Sequence, residues 1–255
     1  MHLPIFCQLC LNKNYKKNPN PQHLSLKQIV SDGNELTNWL KEKYRQEKIY
    51  LAGYSWGSLV GVQMVKEHPE NYKAYFGISQ FINKQEGMKI SRNWLKEQAT
   101  KKSDQLALNK IDSLENLAFY KDEHDRFFQQ YLLVNEYGGA QHNKEATSEI
   151  EKAETMYEDY QDYDWYAVWG VSSSILQKDL YVADVRDITK LDVPVVLFQG
   201  RYDWNVPSIL AESWLNNLQA PKKKIIWFEN SGHGPLEEEP KIFNKSMINI
   251  LGEID

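Results

Sequence analysis

The apolar residues of this chain are arranged in short uninterrupted runs and in longer stretches with helical spacing. The short runs, which have the length of buried strands, span residues 48–55, 73–82, 193–200 and 223–230. The stretches with helical spacing span residues 25–46, 57–69, 208–218 and 240–254. A strand followed by a helix and a second strand is typical of a parallel sheet with crossover helices. The pattern therefore predicts an α/β fold with a mainly parallel sheet.

The middle of the chain differs from both ends. Residues 83–185 are mostly helical in pattern and rich in acids and aromatics, and no strand-like run of matching quality interrupts them. We interpret this segment as a helical cap inserted into the sheet-forming core. The predicted organisation is a first core part at residues 1–82, the cap at 83–185 and a second core part at 186–255.

Composition narrows the range of partners and cofactors. A net charge of −5 on 255 residues leaves no basic excess for nucleic acid or an anionic membrane. Cys7 and Cys10 are the two cysteines, and no second ligand pair follows at zinc-site spacing. We expect two reduced thiols and no metal. The apolar run at the N-terminus is too short to span a bilayer, so a soluble, cytoplasmic protein is expected.

One turn has the pattern of a catalytic nucleophile. The sequence GYSWG at residues 53–57 lies between a strand-like run and a helix-like stretch. A G-x-S-x-G turn holds its serine in a strained corner, where glycines avoid the contacts that a Cβ atom would make with neighbouring backbone. Ser55 is therefore the candidate nucleophile, and the backbone N–H of Trp56 is a candidate oxyanion donor. The alternative is a glycine-lined turn with a serine that has no catalytic role.

Two other residues suit a serine nucleophile. Asp203 follows the run at 193–200, and His233 follows the run at 223–230. The carboxyl ends of parallel strands meet at one edge of a sheet, so both side chains are expected near Ser55. His233 would act as general base and Asp203 would orient it, in the chain order Ser, Asp, His. Each could instead be an ordinary loop residue. Asp192 precedes the run at 193–200 and therefore lies at the amino end of that strand, away from the expected site.

The motifs "GYSWGS" around Ser55, "GRYDWNVP" around Asp203 and "FENSGHGPLEEEP" around His233 resemble the proline iminopeptidase group of α/β-hydrolases. The resemblance extends from about residue 26 to the end and is weakest across the cap. It implies a serine peptidase that releases an N-terminal residue, often proline, from small peptides, without metal or organic cofactor. Esterases and amidases share this fold, so the substrate is expected to be a small peptide or an ester.

The predicted cap contains the candidate substrate-binding residues. An aminopeptidase binds a free ammonium group, and a carboxylate does this best. Glu136 is the candidate for that role, and Trp165 and Tyr166 are candidates for the wall of a proline pocket. The alternative is a solvated acidic helix with its aromatic face packed on the core.

The segment before the nucleophile is short for this fold. By resemblance, about 80 to 100 residues with further strands and a second oxyanion donor are expected there. Only 47 residues precede the run at 48–55, and no H-G-G sequence occurs in the chain. Three interpretations follow: an iminopeptidase-type hydrolase truncated at its N-terminus, a compact esterase or amidase, and a non-catalytic binding protein. The first predicts a weak catalyst with one oxyanion donor.

Overall fold

Four parallel strands form one sheet in the order β1-β2-β3-β4. A computed structural model describes residues 24–143 and 165–254, with side chains from residue 172 onward in the second range. The strands are β1 (Ile49–Tyr54), β2 (Tyr72–Ile78), β3 (Val195–Gly200) and β4 (Lys223–Phe228). The α/β fold with a mainly parallel sheet is therefore confirmed.

Helices surround the sheet and fill the interval between β2 and β3. In the described ranges they are α1 (Leu26–Tyr44), α2 (Trp56–Glu67), α3 (Lys84–Lys101), α4 (Gln105–Ser113), α5 (Glu123–Glu136), α6 (Trp165–Val182), α7 (Ser208–Asn217), α8 (Pro235–Glu238) and α9 (Pro240–Ile254). The predicted N-cap of α1 is present, because Ser25 Oγ accepts a hydrogen bond from Gln28 N at 3.1 Å.

The two faces of the sheet bury separate apolar clusters. On one face, side chains of α1, α2 and α7 pack against the strands around Leu59, Val195 and Trp214. On the other face, Phe198 and Phe228 pack with Phe243 of α9. Burial on both faces explains why the strands are nearly continuous apolar runs in the sequence.

Helices α3 to α6 lie between β2 and β3 in the chain. They include a third apolar cluster, in which Leu95 of α3, Ile111 of α4 and Leu133 of α5 are buried. Within the described residues, no strand lies between β2 and β3. The boundaries of the cap at 83 and 185 stay a prediction.

The second predicted strand is too long. The apolar run at 73–82 predicted a strand through residue 82, but β2 ends at Ile78. Ser79 has a φ of 46°, which turns the chain out of the extended conformation. The N–H of Phe81 then donates to Ser58 Oγ at 2.8 Å instead of to a neighbouring strand. Apolar character alone did not distinguish the strand from the buried turn that follows it.

Membrane-spanning helices and metal sites can be assessed only in the described residues. None of the helices in residues 24–143 and 165–254 combines the length and the apolar character that crossing a bilayer requires. The same residues contain no group of His, Cys, Asp or Glu side chains arranged to hold a metal ion. Cys7 and Cys10 lie outside the described residues.

Candidate active site

Ser55 occupies a sharp corner between β1 and α2. Its backbone angles are φ 54° and ψ −128°, a combination that is rare for a residue other than glycine. The corner is held by the N–H of Ser55, which donates to Ile78 O on the neighbouring strand at 2.9 Å. The Trp56 N–H lies in the first turn of α2, where backbone N–H groups have no partner within the helix. This corner exposes Ser55 Oγ next to a backbone donor.

The two glycines of the turn have different importance. A Cβ atom on Gly53 would lie 2.6 Å from Gly57 O and 2.7 Å from Ser58 Cα, so only glycine fits there. A Cβ atom on Gly57 would meet nothing within 4 Å. The expectation that both glycines avoid a collision therefore holds for Gly53 and is wrong for Gly57, which faces open space.

The three candidate catalytic side chains form a continuous hydrogen-bonded chain. His233 Nε2 lies 2.9 Å from Ser55 Oγ, and His233 Nδ1 lies 2.9 Å from Asp203 Oδ2. Asp203 is 2% exposed, and its other oxygen, Oδ1, accepts from Asn205 N at 3.0 Å and Val206 N at 2.8 Å. These two N–H groups fix the carboxylate, so that Oδ2 faces the histidine ring.

The electrostatic environment of His233 favours its protonated form. Burial lowers the pKa of His233, but the neighbouring Asp203 carboxylate raises it by charge and by hydrogen bonding, and Glu237 and Glu238 raise it further. The net pKa lies above the ordinary value of a histidine. An imidazolium formed by accepting a proton from Ser55 is therefore stabilised in place.

A buried carboxylate holds the loop that carries His233. Glu238 of α8 is 3% exposed. Its Oε1 accepts from Gly232 N at 2.9 Å and Gly234 N at 3.2 Å. Its Oε2 accepts from His142 N at 2.8 Å and Asn143 N at 2.7 Å. The Glu238 carboxylate thus binds the residues on both sides of His233. It also binds His142 and Asn143, which end the segment after α5 (residues 137–143).

Replacing Glu238 by glutamine should destabilise the protein. An amide keeps one acceptor oxygen, and its NH2 group faces two backbone N–H groups that lose their acceptor. We expect the free energy of unfolding to fall by about 2–3 kcal/mol, measured by urea denaturation. Glu229→Gln is the control, because Glu229 pairs with Arg201 on the surface, and little change is expected. Equal effects of the two substitutions would contradict this role of Glu238.

The segment after α5 also contacts both catalytic loops directly. Gly139 O accepts from Trp204 N, next to Asp203, at 2.7 Å, and Ala140 O accepts from His233 N at 2.7 Å. On the other side, Ser79 Oγ donates to His233 O at 2.6 Å. The sequence patterns did not indicate Glu238, Ser79 or this segment, because their roles depend on contacts between residues far apart in the chain.

A cavity of about 670 Å3 opens beside Ser55. Ser55 and Trp56 form one end of it, and side chains of α3, α5, α6 and the loop after Asp203 form its walls. The walls are largely apolar, and the basic groups among the described lining residues are Lys84 and His124. No aspartate or glutamate belongs to this described lining.

Among the predicted substrate-binding residues, Glu136 is outside the described cavity lining, whereas Trp165 and Tyr166 belong to a helix that contributes to it. Glu136 is the exposed last residue of α5 and is not among the described residues that line the cavity. Trp165 and Tyr166 open α6, the helix whose later residues Ser172 and Leu176 line the cavity. The side chains of Trp165 and Tyr166 lie outside the described part of the structure.

The parallel sheet, the strained serine corner and the acid and histidine at successive strand ends define a protein of the α/β-hydrolase fold. Solved structures agree with this fold. Proline iminopeptidase of Mycobacterium smegmatis is 11% identical, with a TM-score of 0.55 over 87% of this chain and 70% of that one. A thermophilic esterase from Thermogutta terrifontis is 17% identical, with a TM-score of 0.51 over 91% and 73%.

The family follows from the sequence comparison. The family model described as serine aminopeptidase, S33, matches residues 20–240, and the chain belongs to this hydrolase family. A curated relative, "Probable aminopeptidase YbaC" of Bacillus subtilis (strain 168), is 24% identical over 238 residues, which are 92% of this chain and 74% of the relative.

Proposed function

We propose that this protein is a serine hydrolase that uses Ser55, His233 and Asp203 as its catalytic triad. The observation that carries the proposal is the hydrogen-bonded chain from Ser55 Oγ through His233 to Asp203, with 2.9 Å at each step. His233 accepts the proton as Ser55 Oγ attacks the substrate carbonyl, and then gives it to the leaving group. The Trp56 N–H stabilises the oxyanion, and water releases the acyl group from Ser55.

Among serine hydrolases, we propose an aminopeptidase of the proline iminopeptidase type. Membership of the serine aminopeptidase family and the similarity to a probable aminopeptidase support this class. We propose Glu237 for the ammonium-binding carboxylate, because its Oε2 lies beside Gly234, in the loop that carries His233. Burial raises the pKa of Tyr131, which lines the cavity, and the charge of Glu237 raises it further. The charge of Glu237 acts on both Tyr131 of the cavity wall and His233, and neither Glu237 nor Glu136 is among the described residues that line the cavity.

A carboxylesterase is the second candidate. The described lining of the cavity is apolar with two basic groups and no carboxylate, which suits an acyl group better than a free ammonium group. The solved esterase structure shares the fold only, so it is compatible with a carboxylesterase function without favouring it over an aminopeptidase function.

Matched substrates distinguish the two functions. An aminopeptidase of this type should hydrolyse prolyl p-nitroanilide and leave N-acetyl-prolyl p-nitroanilide almost untouched, because acetylation removes the ammonium group. Glu237→Gln should raise KM for the free-amine substrate by about tenfold or more and spare p-nitrophenyl acetate. Glu136→Gln is the matched control.

A larger effect of Glu136→Gln than of Glu237→Gln would restore the assignment made from the sequence. Hydrolysis of p-nitrophenyl acetate with no cleavage of either anilide would favour the esterase. A chain that hydrolyses none of these substrates, and whose Ser55 a fluorophosphonate does not label, would not be a serine hydrolase.

A further inference from the structure

A half-buried lysine lies on the wall of the cavity beside Ser55. Lys84 is the first residue of α3, directly after its N-cap Asn83, and it lies on the cavity wall. Its Nζ lies 4.1 Å from the ring centroid of Phe127 on α5. No carboxylate in the described part of the chain forms an ion pair with it. The aromatic ring fixes the ammonium without cancelling its charge.

The groups around Lys84 leave its charge directed at the cavity. Glu123 attracts Lys84 from a distance, while its carboxylate is paired with Arg126 at 2.5 Å. His124, the other basic group of the lining, hydrogen-bonds through Nε2 with Ser173 at 3.3 Å. Burial lowers the pKa of His124, and the charge of Lys84 lowers it further, so Lys84 supplies the positive charge near neutral pH.

Burial also lowers the pKa of Lys84, to about 8. An ammonium group held in an apolar cavity is destabilised by the loss of water, and a carboxylate beside it offsets that loss. Most of Lys84 is still charged at neutral pH. Such a position is unfavourable in the empty cavity and favourable once an anionic ligand enters.

We propose that Lys84 binds a carboxylate of the substrate, so that the hydrolase prefers substrates with a negative charge inside the cavity. This inference rests on the serine hydrolase activity proposed above and specifies its substrate class. Two sources supply the carboxylate: the free C-terminus of a short peptide, and an acidic side chain or acyl chain on the carbonyl side of the scissile bond. Both would make the same contact with Lys84 Nζ.

Ligand binding to Ser55→Ala, measured by calorimetry, tests the proposal without requiring hydrolysis. Alanyl-alanine is compared with its amide, which probes the C-terminus. Glutamyl p-nitroanilide is compared with glutaminyl p-nitroanilide, and a phenyl hemisuccinate with phenyl butyrate, which probe the carbonyl side. We expect the acid of at least one pair to bind about 10- to 100-fold more tightly than its neutral partner. The pair that shows the preference identifies the source of the carboxylate.

The preference should depend on Lys84. Adding Lys84→Met should bring the two dissociation constants of that pair to within about threefold, whereas Lys84→Arg keeps the charge and should keep the preference. Lys102→Met is the control, because Lys102 also lies over an aromatic ring, that of Tyr137 at 4.4 Å, but does not line the cavity. A preference that survives Lys84→Met, or equal binding within all three pairs, would overturn the proposal. Failure of the parent chain to hydrolyse peptides would reject only the aminopeptidase function.

Discussion

Replacing Ser55 by alanine should lower kcat by at least about 10³-fold on every substrate that the protein hydrolyses. The reason is that Ser55 Oγ is the atom that His233 Nε2 contacts, at 2.9 Å, and no other hydroxyl reaches that nitrogen in the described part of the structure. The triad acts as a unit, so the remaining histidine and aspartate cannot compensate. Steady-state kinetics on the best substrate of the panel above measures the loss.

Ser79→Ala is the matched control for this experiment. Ser79 is a fully buried serine of the same site, but its Oγ donates to the carbonyl of His233 and does not face the imidazole nitrogens. Its loss removes one hydrogen bond, so a decrease of roughly tenfold or less is expected. If Ser55→Ala keeps most of the activity, or Ser79→Ala loses more than Ser55→Ala, Ser55 is not the nucleophile.

Asp203→Asn should lower kcat by up to about 10⁴-fold while the fold is retained. The N–H groups of Asn205 and Val206 would keep the amide oxygen in the position of Oδ1, so the NH2 group would face His233 Nδ1. That nitrogen must then accept a hydrogen bond, and the ring proton moves to Nε2, facing Ser55. In this tautomer His233 cannot accept the proton of Ser55.

The pH dependence of the same variant gives a second measurement. His233 acts as a base only when neutral, so activity is lost as the pH falls through its pKa, which is raised in the parent protein. Asp203 is the largest raising influence, so Asp203→Asn should move the acid limb of kcat/KM to lower pH. Asp192→Asn is the control, since Asp192 pairs with Lys190 on the surface before β3. A larger loss from Asp192→Asn would show that the acid is wrongly assigned.

The sequence predicted the sheet because buried parallel strands are continuous apolar runs bounded by turns. It also predicted that Ser55, Asp203 and His233 lie close together, because successive parallel strands end at the same edge. The structure brings these side chains together, and their catalytic roles are proposals. The G-x-S-x-G motif predicted where the serine corner lies, and it also predicted that steric crowding requires a glycine at Gly53.

The rest of the site depends on packing that no local pattern reports. Glu238 is one of three consecutive glutamates, and nothing in that run distinguishes the buried one from its neighbours. Lys84 and His124 face one cavity because α3 and α5 pack together, although 40 residues separate them. The alternation of strands and helices likewise did not separate the end of β2 from the buried turn at Phe81.

The bonds from Gly139 and Ala140 to the two catalytic loops limit how this protein can be re-engineered. The backbone carbonyls of that segment accept from Trp204 N and His233 N, and the same segment continues into the residues that Glu238 binds. A chimera that replaces the whole interval between β2 and β3 therefore also replaces residues whose hydrogen bonds hold the loops of Asp203 and His233. Grafts that retain residues 139–143 should preserve turnover, and grafts that remove them should lose it even when the new pocket is well formed.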